Sequence, residues 1–184
     1  LQARRLADGK VLLENAHLRA VFDPRDAGAA SSLVQKATGK ELAVCESYGG
    51  QHFKAFRESV HVQHMGEARV AARGRPYALE RLEVKDGAAV AVFSGFPVVG
   101  RGRYARLRVV KTYTLRPGAS RLDVRLEMRN ESDRALPAAL WILNGLRVDE
   151  EDIRNFAPAP RGTVVKVLTP FTHASGCITV PRAA

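Results

Sequence analysis

The segment from Tyr104 to Leu146 constrains the fold most strongly, because apolar side chains recur at every second position after its Pro117-Gly118 turn. Charged residues fill the alternate positions between Leu122, Val124, Leu126 and Met128. Successive side chains of a strand point to opposite faces, so this spacing predicts one core face and one solvated face. A helix would scatter the charges into its apolar stripe. The pattern therefore predicts a half-buried antiparallel hairpin.

The strands before and after the one from Leu122 to Met128 extend the pattern. Before the turn, the apolar positions are Leu107, Val109, Tyr113 and Leu115. In the Arg-Pro-Gly turn itself, Pro presets one backbone angle and Gly supplies the positive angle that the next position needs. The third strand, from Ala138 to Leu143, is apolar without alternation. Such a strand is expected to be covered on both faces.

The rest of the chain also divides into short apolar segments separated by turns. Further strands are predicted at 11–15, 17–22, 30–35, 68–72, 78–85, 88–93 and 163–168. Asp86-Gly87 predicts a two-residue hairpin turn, and the Gly- and Pro-rich segment 95–102 predicts a loop. Helix signals are few, with one short turn predicted near 150–155. About ten short strands at this spacing predict an all-β fold, a sandwich or a barrel.

Size and hydropathy favour one domain spanning residues 1–184, which is compatible with a piece of a larger protein. The chain has 184 residues and 46% hydrophobic content, enough for one substantial core. No run of about 18 apolar residues is present, so no membrane span is expected. Residues 1–9 contain no apolar signal region. The compartment stays undetermined, and a periplasmic or extracellular location requires that a leader has been removed.

Positive charge is concentrated in the middle of the chain. Residues 49–120 hold 13 of the 29 Lys and Arg residues but only 5 of the 19 Asp and Glu residues. The arginines of this basic cluster are Arg69, Arg73, Arg75, Arg101, Arg103, Arg106 and Arg108. Three interpretations stay open: solvated strand faces, a site for anionic ligands, or a nucleic-acid surface. A nucleic-acid partner is not expected, because interleaved aromatics, zinc spacing and a recognition-helix pattern are all missing.

Several segments, in order, resemble the galactose mutarotase-like superfamily, which includes the aldose 1-epimerases. They are Leu13 to Asp23 with the following Gly28, His64 to Arg69, Lys111 to Leu115, Leu122 to Asn130, and Pro137 to Asn144. The first is similar to the family's opening hairpin and glycine corner, and the second to its His-Gly-x-x-Arg stretch. The resemblance covers most of the chain. It implies an antiparallel β-sandwich of the mutarotase-like (supersandwich) type that binds a carbohydrate.

The same resemblance indicates that full epimerase chemistry is absent. Epimerases of this family use a His as general acid near the place where this chain has Asn144. An asparagine can hydrogen-bond a sugar hydroxyl but cannot deliver a proton. Met65 also shifts His64 out of register with the family's His-Gly pair, and no counterpart of the carboxylate base can be assigned. The expected function is therefore sugar binding in a concave face. Whether the chain is an enzyme stays open, the alternatives being an active epimerase, mutarotase or glycan hydrolase, or a domain that serves packing only.

The candidate sugar-binding residues are His64, Arg69, Trp141, Asn144 and His52. Each has an ordinary structural alternative: a strand-edge histidine, a solvated arginine, or a core tryptophan in an apolar strand. No cofactor or metal site is predicted. Cys45 and Cys177 are too far apart in sequence for a metal or redox pair, and their disulfide state stays open. The run Asp149 to Asp152 lacks the alternate spacing and central glycine of a calcium loop.

Overall fold

The structure is a computed structural model. It describes residues 1–43, 46–48, 51–53, 55–61, 70–71, 75–97, 105–135, 139–143, 146–147, 163–168 and 173–178, with side chains in 1–43, 55–56, 75–97 and 105–135. These residues form 17 strands and one short 3-10 turn, Pro24–Asp26. The all-β class predicted from the sequence is confirmed. Within the same residues, no helix is long and apolar enough to cross a membrane.

The N-terminal strands form a five-stranded antiparallel sheet in chain order. They are β1 (Gln2–Arg5), β2 (Val11–Glu14), β3 (Leu18–Asp23), β4 (Ala29–Gln35) and β5 (Lys40–Glu41). The predicted strands β2, β3 and β4 are confirmed. Strand β1 was not predicted, because its sequence has no apolar alternation and only Ala3 packs against the core. This strand forms because it pairs with β2 over four residues, from Gln2 opposite Glu14 to Arg5 opposite Val11.

A second sheet contains four antiparallel strands, again in chain order. They are β10 (Ala78–Lys85), β11 (Ala88–Gly95), β12 (Leu107–Leu115) and β13 (Asp123–Asn130). Lys85 pairs with Ala88 across the predicted Asp86-Gly87 turn. Both turn residues have positive φ, 51° and 70°, as a two-residue hairpin of this kind requires.

The hairpin predicted from β12 and β13 is also confirmed. Tyr113 lies opposite Val124, and Val109 lies opposite Met128. Val124 and Met128 are half-buried against the core, whereas Arg125 between them is exposed. The alternation in the sequence therefore set the face that each residue occupies.

Shorter strands make up three smaller sheets. One contains β14 (Ala139–Leu143), β8 (Arg57–His61) and β9 (Val70–Ala71), and another pairs β6 (Glu46–Tyr48) with β7 (Gln51–Phe53). The third contains β15 (Leu146–Arg147), β17 (His173–Ile178) and β16 (Thr163–Leu168). The strand predicted at 163–168 is confirmed. Of the strand predicted at 68–72, the described residues Val70–Ala71 are extended, and the predicted turn near 150–155 lies outside the described residues.

The two large sheets face each other and enclose one hydrophobic core. Three aromatic rings form its centre: Phe22 stacks on Tyr113 with centroids 4.1 Å apart, and Phe93 meets the Tyr113 ring edge-on at 5.9 Å. The Tyr113 hydroxyl donates a 2.8 Å hydrogen bond to the buried carbonyl of Gly28. Because Phe22 and Tyr113 come from different sheets, this contact joins the layers. The architecture is an antiparallel β-sandwich.

Asn15, which opens the turn between β2 and β3, connects that turn to the loop after β12. Its Nδ2 donates to the carbonyls of Arg116 at 2.7 Å and Ala119 at 2.8 Å. Its Oδ1 accepts from the backbone N–H groups of His17 and Leu18, both at 2.8 Å. Asn15 is only 5% exposed, so all of its amide's polar atoms are used inside the fold. Asn15 therefore connects a turn of the five-stranded sheet with a turn of the four-stranded sheet.

Lys111 interrupts the apolar face of β12. Its side chain is completely buried between the core positions Val109 and Tyr113. The ammonium donates to the Phe56 carbonyl at 3.0 Å and lies 5.4 Å from the centre of the Tyr77 ring. Phe56 itself has a positive φ of 61°. A buried ammonium needs hydrogen-bond acceptors and aromatic faces of this kind, because the loss of hydration disfavours its charge.

Candidate functional site

The residues predicted to bind sugar are described only in part. His64, Arg69 and Asn144 lie outside the described residues. Trp141 lies on β14, where it pairs with Ser59 of β8, and His52 lies on β7, where it pairs with Ser47 of β6. For these two, the structure describes the backbone and its pairing only. The site predicted from the sequence stays a prediction.

The register of β14 against β8 bears on how these residues can meet. Leu143, the last residue of β14, lies opposite Arg57, whereas His61, the last residue of β8, lies opposite Ala139. The strand end that precedes Asn144 and the strand end that precedes His64 are therefore at opposite ends of this sheet. Trp141 lies midway between them along β14.

An open cleft lies on the outer face of the four-stranded sheet, away from the core. Its volume is about 460 Å³. Cavities of this size hold small ligands. It is lined by residues from the segment before β10, the facing ends of β10 and β11, and the start of β12: Arg75, Pro76, Ala78, Ser94, Gly95, Phe96 and Arg108. The charged residues among them are both arginines.

Arg108 is held in one orientation within this cleft. Its guanidinium stacks over the Phe96 ring, 4.6 Å from the ring centre. Its Nε donates to Glu131 Oε1 at 2.5 Å, and its Nη1 donates to Ser94 Oγ at 3.2 Å. An exposed ion pair of this kind adds only about 0–1 kcal/mol to stability. The arrangement therefore orients the guanidinium more than it stabilises the fold.

Ser94 belongs to the same hydrogen-bond chain. Its hydroxyl accepts from Arg108 and donates to Glu80 Oε1 at 2.6 Å, and the residue is only 5% exposed. Glu80 lies in a β-bulge of β10, where the register with β11 shifts between Leu79 and Arg81. A bulge changes the direction in which a side chain points. It allows Glu80 to reach Ser94 on the outer face.

Arg75 lines the other side of the cleft and is positioned through its backbone. Its carbonyl accepts from Ala27 N–H at 2.6 Å, and two residues later Tyr77 N–H donates to the Pro24 carbonyl at 2.8 Å. These bonds fix the segment before β10 on the 3-10 turn. No carboxylate whose side chain is described pairs with the Arg75 guanidinium.

Sequence reasoning did not select this cleft, although it named both arginines within the basic cluster. The connection from β11 to β12 is the signal that could have indicated the cleft. Phe96 and Arg108 flank this connection, so the antiparallel pairing of the two strands brings them together. The other described arginine of the cluster is Arg106. Arg69, Arg73, Arg101 and Arg103 lie outside the described residues. Solvated arginines do occur on this face, since Arg125 is exposed beside Glu127.

The described residues contain no group of three or more His, Cys, Asp and Glu side chains able to hold a metal ion. Cys45 and the run Asp149 to Asp152 lie outside the described residues. Cys177 and His173 lie on β17, where the backbone alone is described.

Comparison with known proteins identifies relatives of the fold only. No protein-family model matches the chain, and no curated protein matches it. Among solved structures, a 4-alpha-glucanotransferase from Thermococcus litoralis is similar over 80% of this chain, with a TM-score of 0.59 and 13% identity. A TPR-domain containing protein from Parabacteroides distasonis is similar over 85%, with a TM-score of 0.54 and 20% identity.

The matched regions are small parts of those proteins. This chain spans 27% of the glucanotransferase and 26% of the TPR-domain protein. At such identities the likeness shows a shared fold. The chain is thus an antiparallel β-sandwich of a kind that also occurs within a carbohydrate-active enzyme.

Proposed function

We propose that this chain is a carbohydrate-binding β-sandwich domain of the galactose mutarotase-like type, without full epimerase chemistry. The observation that carries the proposal is the likeness of its fold to part of a glucanotransferase, over 80% of this chain. The order of sequence segments that resemble the mutarotase-like superfamily supports the same conclusion independently. We also propose that residues 1–184 form one domain.

In this proposal, the sugar is bound by His64, Arg69, Trp141, Asn144 and His52. An indole ring can stack on the apolar face of a pyranose, and the other side chains can hydrogen-bond hydroxyl groups.

Binding of neutral glycans tests the proposal. We expect the 184-residue chain to bind oligosaccharides on a glycan array, and Trp141→Ala and His64→Ala each to weaken binding at least about tenfold, the effect of losing 1.4 kcal/mol. His17→Ala is the matched control, because His17 is an exposed histidine in the turn before β3. Equal binding by all variants, or no glycan binding at all, contradicts the proposal.

A coupled mutarotation assay with glucose and galactose separates a binding domain from an enzyme. We expect no acceleration over the uncatalysed reaction, because an asparagine at position 144 cannot donate a proton. Acceleration that disappears in His64→Ala and persists in His17→Ala would show instead that the chain is an active mutarotase.

A further inference from the structure

The cleft beside Arg75 and Arg108 has a chemistry different from that of a neutral sugar site. Both of its charged lining residues are cationic, and the described carboxylates Glu80 and Glu131 are hydrogen-bonded to Ser94 and Arg108. A guanidinium presents several N–H donors in one plane, a geometry that matches a carboxylate or phosphate. We propose that this cleft binds the anionic group of an acidic or phosphorylated saccharide.

Preorganisation of Arg108 is the first argument for this proposal. Phe96 covers one face of the guanidinium, while Glu131 and Ser94 take up Nε–H and one donor position on Nη1. The remaining N–H groups keep a fixed direction. A ligand therefore binds without the entropy cost of ordering a long, flexible side chain.

Arg75 supplies the second argument. Its backbone is fixed by the bond from Ala27, yet its guanidinium is not paired with any carboxylate in the described side chains. Arg75 and Arg108 both line one cleft of about 460 Å³, so an anionic group bound there can accept charge-assisted hydrogen bonds from both side chains, which are stronger than those to a neutral hydroxyl. The volume leaves room for a sugar ring attached to the anion.

That the ligand is a saccharide rests on the proposed function, whereas its negative charge rests on the cleft alone. The test uses the isotopically labelled 184-residue chain at constant ionic strength, with binding followed by amide and arginine side-chain NMR signals. The probes are glucuronate, glucose 6-phosphate, glucose and inorganic phosphate. We expect glucuronate or glucose 6-phosphate to bind at least about tenfold more tightly than glucose, since charge-assisted hydrogen bonds are the stronger ones.

The variants localise the binding. Arg75→Gln is the main one, because it removes a guanidinium that makes no ion pair in the described fold. We expect it to weaken binding of the anionic sugar at least about tenfold, and Arg108→Gln to do the same. Arg125→Gln is the matched control: Arg125 is an arginine on the same outer face, paired with Glu127 and outside the cleft. It should leave the affinity unchanged within about twofold.

The outcomes separate this inference from the proposed function. A preference for glucuronate identifies a carboxylate ligand, and a preference for glucose 6-phosphate identifies a phosphate ester; either supports the inference. Anionic sugars that bind no better than glucose, or equally well to Arg75→Gln, overturn it, even if neutral glycans still bind through Trp141. Inorganic phosphate that binds as tightly as glucose 6-phosphate, with no glucuronate binding, overturns a saccharide as the ligand.

Discussion

The Asn15 amide offers the sharpest test of how the two sheets are joined. Its Nδ2 donates two hydrogen bonds to the loop after β12, and its Oδ1 accepts two from N–H groups of its own turn before β3, all of 2.7–2.8 Å. A hydrogen bond contributes about 0.5–1.5 kcal/mol net. The carbonyls of Arg116 and Ala119 can recover part of this from water, because Arg116 is exposed and Ala119 is half-exposed. We therefore expect Asn15→Ala to lower the free energy of unfolding by about 2–4 kcal/mol.

Asn15→Asp tests the direction of those bonds. The substitution keeps the shape and the acceptor oxygen but turns the donor into an oxygen that faces two carbonyl oxygens, at 2.7 and 2.8 Å. Burial and these oxygens disfavour the carboxylate, so the folded pKa of the introduced acid lies above its unfolded value of about 3.9. The loss of stability is then smallest below that unfolded pKa and grows as the pH rises toward the folded pKa.

Equilibrium urea denaturation followed by circular dichroism, at several pH values, measures both effects. Asn130→Asp is the matched control, because Asn130 makes a similar side-chain bond to the Arg134 carbonyl but is exposed. We expect it to cost less than about 1 kcal/mol and to show no recovery at low pH. If Asn15→Ala costs less than about 0.5 kcal/mol, or if both aspartate variants share one pH dependence, the reasoning is refuted.

Three further substitutions test the core and the turns, each by urea denaturation of the purified chain. Tyr113→Phe keeps the ring contacts but leaves the buried Gly28 carbonyl without its donor, so we expect a loss of about 1–3 kcal/mol; an unchanged midpoint would contradict that bond. Gly95→Ala places a Cβ 2.1 Å from Tyr77 Cδ1, and overpacking of this kind should cost about 1–3 kcal/mol. Gly87→Ala meets no atom within 4 Å, so only the strain of φ +70° remains, about 1–2 kcal/mol. A shorter side chain at position 77 should reduce the loss of stability caused by Gly95→Ala but not the loss caused by Gly87→Ala.

The two proposed sites are made of different residues and would select a ligand by different groups. The residues selected from the sequence are spread over β14, β7 and the segments next to β14 and β8, whereas the cleft is formed by the outer face of the four-stranded sheet. The residues selected from the sequence would bind hydroxyl groups and a flat sugar face, whereas the cleft would bind a negative charge. An acidic oligosaccharide would satisfy both, and the Arg75→Gln and Trp141→Ala variants measure the two contributions separately.

Much of the sandwich could be predicted because local patterns are repeated in its strands. The alternation from Leu122 to Met128 set the core face of β13, and the Asp86-Gly87 pair set the connection from β10 to β11. These features depend on neighbours in sequence, so they can be read without coordinates. Strand β1 could not, because its pairing with β2 creates the strand in the absence of an apolar pattern.

For the candidate cleft too, the sequence predicted the residue types, whereas the contacts between them depend on the fold. The sequence identified Arg75 and Arg108 as members of a basic cluster, but it could not tell a solvated arginine from one stacked on Phe96. Likewise, alternation places position 111 on the core face, yet only the fold supplies the Phe56 carbonyl that receives the Lys111 ammonium.

The sequence by itself determined the all-β class, the principal strands and their turns, because side-chain periodicity and turn chemistry act over a few residues. Tertiary structure decided which strands meet, that Asn15 bridges residues about a hundred positions away, and that two arginines line one cleft. The physical reason is that hydrogen bonds, ring stacking and burial depend on distances between groups remote in the chain, which become fixed only when the two sheets pack together.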